Sequence, residues 1–297
     1  MATSSGLKRK LRIHPSLNLF ARPARVPSLW RMNRHLIWEG CANVRDLGGL
    51  RTRDGRVTRR GAIVRGDALD RLSARGWAAL EAHGVRTVID LRNHDELGPD
   101  AAPRPAGLTT LHLPLDGVED TEFWKDWHGR PEFGTPLYYR PFLERFPERT
   151  AGVITAIARA EPGGVAVHCG IGRDRTGLIT ILLLALAGVV EDDITADYEL
   201  SEPRVQVLLD RLAGGRSHDL DSAAAFYARA GTSAREVIVS LLAGLDVEAY
   251  LRAAGVGGGD LSALRARLLS AAGRPSRPAG GTPRRARRRR GGPGRRC

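Results

Sequence analysis

The chain has 297 residues, 42% of them hydrophobic, enough for one large core or two small ones. Its three cysteines, Cys41, Cys169 and Cys297, are too few and too far apart for a disulfide framework, and no apolar run approaches the roughly 20 residues that span a bilayer. The net charge of +13 belongs to the ends: residues 1–38 carry eight Lys or Arg and no acid, residues 273–297 carry ten Arg and no acid, and what lies between is left at −5.

A strongly basic chain suggests a nucleic-acid partner, but here the body is mildly acidic and carries no nucleic-acid motif. Neither a signal peptide nor a cluster of metal ligands is visible. The expectation is a cytoplasmic protein that needs no cofactor and no metal.

Residues 1–35 are polar, basic and interrupted by Pro15, Pro23 and Pro27, which predicts a disordered extension. Met32 opens the stretch MNRHLIWEGCANVRDLGG and is a candidate translation start. Residues 43–49 form a turn-rich segment with paired glycines, and residues 61–65 read as a strand. Ser73 can cap a helix running to about residue 83, closed by Gly84. Residues 85–91 and 109–113 read as further strands.

Residues 117–148 differ in character. Phe123, Trp124, Trp127, Phe133, Tyr138, Tyr139, Phe142 and Phe146 are half of the sixteen aromatics in the chain. They either form a lid that stacks on a substrate or touches a membrane, or they pack on one another. A helix over residues 150–160 follows, then a short β-branched run, residues 164–167, that reads as a buried strand. Residues 178–187 make an apolar helix stopped by Gly188. Helices are expected at 192–200, 203–212, 222–229, 233–242 and 260–269. Strands alternating with helices predict an α/β fold, a mostly parallel sheet flanked by helices with a helical C-terminal part. The expected domains are a basic extension (1–35), one catalytic domain (36–272) and an Arg/Gly/Pro-rich disordered tail (273–297). The RRARRRR of residues 284–290 could take nucleic acid or anionic lipid; the alternative is an inert solvated tail.

The rest is organised around residues 168–177, HCGIGRDRTG. A strand, a glycine-bearing loop and a helix N-terminus together make an anion site. The spacing Cys-x5-Arg curls the chain once, so that the Cys169 thiol and the Arg175 guanidinium face one pocket. Phosphate fits it: two oxygens match the planar fork of Arg175, and others accept N–H bonds from Gly170, Ile171, Gly172, Arg173, Asp174 and Arg175. The same donors favour a thiolate over a thiol.

This loop resembles the H-C-x-x-G-K-D-R-T-G loop of the bacterial tyrosine/serine protein phosphatases, within the cysteine-dependent protein tyrosine phosphatase superfamily. Residues 43–49, NVRDLGG, are similar to that family's N-terminal signature, and Asp90-Leu91-Arg92 with Glu96 to its D-L-R-x-x-x-E element. The resemblance runs from about residue 38 to about residue 269. Arg173 stands where the family usually has Lys, which puts a phosphoinositide preference tied to that Lys in doubt.

The resemblance implies a protein tyrosine phosphatase-like fold and hydrolysis of phosphotyrosine, with phosphoserine, phosphothreonine or phosphoinositides as further substrates. Cys169 would be the nucleophile, forming a phosphocysteine that water hydrolyses, and Arg175 would stabilise the phosphoryl charge. Thr176 would donate its hydroxyl to the sulfur, and His168 would orient the loop from behind. A general acid must protonate the leaving oxygen. Asp116, after the third strand, is the first candidate and Asp174 the second, with Glu119 and Asp120 also open. Arg92, at a strand end, is a candidate substrate contact. Arg45, Asp46, Arg65 and Asp90 fit structural ion pairs as well as catalysis, and Cys41 reads as a free buried thiol. The competing functions are a rhodanese-like sulfurtransferase, whose loops do not ordinarily end in R-T-G, and a non-catalytic module that holds phosphorylated partners or nucleic acid.

Overall fold

The computed structural model describes residues 34–130, 132–212 and 221–270. Residues 1–33 of the expected N-terminal extension, Met32 among them, the Arg-rich tail and Cys297 lie outside them; Arg34 and His35, expected to be disordered, are part of the folded domain, Arg34 bonded to Asp197 and His35 bridged to Arg45.

Five strands form one sheet: β1 (Arg45–Asp46), β2 (Ile63–Gly66), β3 (Val85–Asp90), β4 (Thr109–His112) and β5 (Gly164–His168). The order is β1-β2-β5-β3-β4, with β1 antiparallel on β2 and every other pair parallel. Alternation along each strand builds two cores, one per sheet face. Ile63, Ile89, Val165 and Val167 point into the larger. Val64, Val85, Val88 and Ala166 point into the smaller, which is closed by Trp77 and Leu80 of α1 (Ala74–Ala82). Ser73 caps α1 as expected, accepting from the Gly76 amide at 3.2 Å.

On the larger side lie α2 (Thr121–Trp127), α3 (Tyr139–Arg145), α4 (Pro147–Arg159) and α5 (Arg175–Leu186). α4 buries Thr150, Ala151, Val153, Ile154, Ile157 and Ala158, the stripe of an amphipathic helix. α5 is buried nearly all round, as its unbroken apolar run requires. Six helices follow: α6 (Glu191–Glu199), α7 (Glu202–Leu212), α8 (Asp221–Ala230), α9 (Ala234–Ala243), α10 (Val247–Ala253) and α11 (Gly258–Leu268). No described helix is long and apolar enough to cross a membrane.

The aromatic segment is packed rather than open. Trp124, Tyr138, Tyr139, Phe142 and Phe146 are buried and pack on one another, with Trp124 stacked on Phe146 at 6.2 Å. Among these rings Phe133 is the one left exposed, at 45%.

The register fixes where chemistry can occur. Gly66, Asp90 and His168 are partners across β2, β3 and β5, and Asp90 pairs with His112 of β4. The carboxyl ends of four parallel strands therefore align, and the loops leaving them crowd one edge, where ligands bind in such sheets.

Candidate active site

After β5 the chain turns through residues 169–174 into the N-terminus of α5. Outward bonds force the loop's shape. The Gly170 carbonyl accepts from the Ala68 amide at 3.2 Å and from Arg71 Nη2 at 3.0 Å. The Ile171 carbonyl accepts from Asn43 Nδ2 at 3.0 Å, and the Gly172 carbonyl from Arg65 Nη2 at 2.8 Å. In a planar peptide the C=O and N–H point opposite ways, so the amides of Ile171, Gly172 and Arg173 turn inward. Gly172 must be glycine twice over: its φ is +72°, and a Cβ there would lie 2.5 Å from the Gly66 carbonyl oxygen. Cys169 begins this cradle, buried at 1% exposure.

Two carboxylates meet Arg175. Glu96 grips both terminal nitrogens, Nη1 through Oε1 and Nη2 through Oε2 at 2.7 Å. Asp116 Oδ2 lies 3.0 Å from Nη1. The Nε–H and the second hydrogen of Nη2 share one edge of the fork, which leaves that edge for two phosphoryl oxygens. Burial works against the charge on Arg175, but Glu96, Cys169 and Asp116 outweigh it and hold the guanidinium protonated. Burial likewise works against the Glu96 carboxylate; Arg175 overcomes it and keeps that carboxyl below its usual range.

Asp116 goes the other way. Burial, with Glu96 and Asp174 nearby, pushes its carboxyl up against the opposing pull of Arg175 and of Asn93, whose Nδ2 donates to Oδ2 at 3.0 Å. A raised carboxyl suits an acid that must carry a proton at neutral pH. Its backbone is pinned by the aromatic segment: Trp124 Nε1 donates to the carbonyls of Asp116 and Gly117 at 2.9 and 3.2 Å.

The other expected residues fall elsewhere. Asp174 pairs with Arg173 Nε at 3.0 Å, and Arg173 also donates to the Gly134 carbonyl at 2.9 Å. The Arg173 guanidinium is thus tied to the aromatic segment, and only its amide serves the cradle. Arg92 is a correction. It is 4% exposed and donates to Asp90 Oδ2 at 2.8 Å and Asp70 Oδ2 at 2.5 Å, so two carboxylates consume the fork that was expected to meet substrate. Thr176 is another. Its hydroxyl is buried without a hydrogen-bond partner among the described residues, so the expected bond to the thiol is not made. Its usual helical acceptor, the Gly172 carbonyl four residues back, is taken by Arg65. Asp120 caps α2 and pairs with Arg145, and Glu119 pairs with Arg149, so both are committed outside the pocket.

His168 is fully buried, with Nδ1 3.4 Å from the Cys169 carbonyl oxygen and Nε2 3.6 Å from Asp90 Oδ2. Burial pushes its pKa down to about 4, so it supports the loop as a neutral ring. Behind the loop a sealed network completes the support. Asp197 accepts from Arg34 Nη1, Arg45 Nε and Arg65 Nη1 at 2.7, 3.1 and 2.8 Å. Burial opposes its charge, but the three guanidiniums hold that carboxyl far below the usual range. Residues 43–49 are therefore structural: Asn43 and Arg45 serve the loop and its network, while Asp46 accepts from the Gly48 and Gly61 amides at 2.6 and 2.7 Å. Cys41 is a free cysteine as expected but only half-buried; its thiol donates to the Ala68 carbonyl oxygen at 3.5 Å and is pushed up by desolvation and Asp67.

Glu96 and Asn93 are the site residues that residue-type reasoning did not assign. The spacing D-L-R-x-x-x-E carried the signal for Glu96, whose partner Arg175 stands 79 positions away.

A loop of inward amides that begins at a buried cysteine, with an arginine fork beside it and a carboxyl pushed up from its ordinary range at its rim, fits a cysteine-dependent phosphoric monoester hydrolase. Residues 36–270 match the tyrosine phosphatase family, and the chain belongs to that family. It is 32% identical over 192 residues to a Cupriavidus necator protein named as a tyrosine-protein phosphatase, which covers 61% of this chain and 70% of the relative. It is 35% identical over 142 residues to a tyrosine-protein phosphatase of Nostoc commune (47% of this chain, 48% of the relative). To the triple specificity protein phosphatase PtpB of Mycobacterium tuberculosis it is 28% identical over 203 residues (59% of this chain, 71% of the relative).

Proposed function

We propose that phosphotyrosine on proteins is the principal substrate, and that residues 36–272 are the unit that hydrolyses it. The Cys169 thiolate attacks phosphorus in line with the ester oxygen, Arg175 and the loop amides hold the equatorial oxygens, and Asp116 gives its proton to the departing oxygen. Water then attacks the phosphocysteine, Asp116 takes one of its protons, and inorganic phosphate leaves. Asp174 is the weaker candidate acid, because its carboxylate is committed to Arg173. The observation that carries this reading is the meeting of Arg175 with Asp116 at 3.0 Å at the rim of the cradle that Cys169 begins.

The name of the mycobacterial relative, a triple specificity protein phosphatase, supports testing more than one kind of substrate; phosphoserine, phosphothreonine and phosphoinositides are the further ones that the loop's resemblance implies. The commitment of Arg173 to Gly134 and Asp174 argues against a free headgroup cation at that position, and so for protein over lipid. A reducing cytoplasm is the proposed setting, since a nucleophilic thiolate must stay reduced. The basic tails are assigned on sequence alone to nucleic acid or anionic lipid, and salt-dependent binding of the full chain tests them.

The test is hydrolysis of an aryl phosphate in EDTA by the native chain and by Cys169→Ser. Activity that survives EDTA and vanishes in the variant is the expected result. Activity lost to EDTA, or retained by Cys169→Ser, overturns the mechanism.

A further inference from the structure

Four groups around the pocket close a ring. Arg175 Nη1 reaches Glu96 Oε1 and lies 3.0 Å from Asp116 Oδ2. The Asn93 backbone amide donates to Glu96 Oε1 at 3.0 Å, and Asn93 Nδ2 donates to Asp116 Oδ2 at 3.0 Å. Asn93 thus touches both carboxylates, one through its backbone and one through its side chain. Its place is rigid: it follows Arg92, which Asp90 and Asp70 clamp, and it begins the 3-10 turn His94–Glu96. It is 9% exposed.

The detail that matters is which oxygen of Asp116 these donors choose. The amide nitrogen of Asn93 and the cationic nitrogen of Arg175 both converge on Oδ2. An oxygen that accepts an N–H and lies against a guanidinium cation is the poorer place for a proton. On this ground, and on the reading of Asp116 as the general acid, we propose that Asn93 is a positioning residue that keeps the acid's proton on Oδ1, the oxygen that neither Asn93 nor Arg175 engages. Asn93 touches neither substrate nor phosphorus in this role. It acts through Asp116.

The groups that act electrostatically on Asp116 are Arg175 and Asp174 of the loop and α5, Glu96 of the 3-10 turn, and Tyr138 of the aromatic segment. None supplies a second neutral donor to Oδ2. Loss of the Asn93 amide removes a bond that favours the carboxylate, so Asp116 holds its proton to higher pH, and Oδ2, left with Arg175 alone, competes better for that proton.

The test compares Asn93→Ser with Asp116→Asn and the double variant. Serine is as good an N-cap as asparagine, and the backbone donor to Glu96 survives, so the 3-10 turn is kept while the reach to Asp116 is lost. The readout is kcat/KM against pH for aryl phosphates of graded leaving-group acidity. Asp116→Asn is expected to lose about 10²-fold or more on the poorest leaving groups, the scale of general acid catalysis. Asn93→Ser is expected to lose about 10-fold on those substrates and less than about 3-fold on the best one, with its alkaline limb moved to higher pH. In the double variant Asn93→Ser should add nothing.

If Asn93→Ser loses equally on all leaving groups with an unmoved alkaline limb, the residue is merely structural and the inference falls alone. If Asp116→Asn is itself insensitive to the leaving group, Asp116 is not the acid, and the inference falls with that assignment. An additive double variant also overturns it.

Discussion

The two faces of the phosphate loop use the same ingredients, arginines against carboxylates, in different surroundings. On the front, Arg175 meets Glu96 and Asp116 with side chains 15%, 31% and 17% exposed. On the back, Arg34, Arg45 and Arg65 meet Asp197, all sealed from water. Solvent at the front screens each pair, so no single contact of Arg175 has to carry its charge there. The back has no solvent to replace a lost partner, so its bonds are made by protein groups, and among the described residues only Arg34 Nε and Arg65 Nε of these three guanidiniums find none. Arg45 accordingly also reaches Asn43 Oδ1 and Ser201 Oγ, and Arg65 also reaches Thr180 Oγ1. Charge at the front can be met by water as well as by a partner side chain. Charge at the back holds the loop's carbonyls outward.

Variants should separate the two faces cleanly. The largest effect is expected at the front: Cys169→Ser should cut kcat by more than about 10³-fold with an unchanged denaturation midpoint. The largest effect on stability belongs to the back. Asp197→Ala leaves three buried cations without their carboxylate and should cost about 3–5 kcal/mol in urea unfolding. Glu96→Gln is the matched front variant. It should cost less than about 1 kcal/mol of stability, as a partly exposed pair does. Its kcat/KM should fall about 10-fold, since the fork of Arg175 is then held by a neutral amide. If Glu96→Gln destabilised as much as Asp197→Ala, the contrast between the faces would be wrong.

Much of this was legible in the sequence because it is local. Strands β2 to β5 announce themselves by β-branched runs, α5 by its apolar length, and the cradle by Cys-x5-Arg next to glycine, whereas β1, two charged residues in a segment read as turn-rich, gives no such sign. Asp116 was also placed from the chain, through the strand it follows. What stayed hidden is what the fold brings together over long distances. Asp197 lies 152 residues from Arg45, and nothing in either segment names the other. The same holds for Arg92, whose strand-end position suggested a substrate contact, while its real partner Asp70 comes from another loop. Helix α10 went unread because its seven residues, Val247–Ala253, are too few to show a period. The aromatic segment hid two helices, α2 and α3, because its rings dominate the pattern.

His168 sits between the faces, beneath Cys169, and gives a pH test. Its folded pKa of about 4 lies below the ordinary value of 6.5. The unfolded chain therefore binds a proton that the folded one excludes, so the stability due to His168 is complete above about 6.5 and drains away as pH falls toward 4, by at most about 1.4 kcal/mol per pH unit. His35, half-buried, shifts in the same direction, so the native curve carries both groups. The difference between native and His168→Gln isolates the loop histidine. It should narrow steadily from pH 6.5 to pH 4, and a constant difference would show that the ring is already charged in the folded protein.

The smallest effect tests where the front borrows its rigidity. Trp124 is buried against Phe146 and Phe142, and its indole N–H holds the carbonyls of Asp116 and Gly117. Trp124→Phe keeps a ring in the cluster and deletes that donor. The loss of one such bond should cost about 1 kcal/mol of stability. If the aromatic segment matters to the site only by filling space, every aryl phosphate should be cleaved as before. If it holds the acid in place, kcat/KM should fall about 3-fold on poor leaving groups and stay unchanged on good ones. The second outcome is expected, because the carbonyls that Trp124 holds belong to Asp116 itself and to the residue after it. Gly117 has φ +63° and marks the turn where the backbone would otherwise be free to swing the acid away from Arg175.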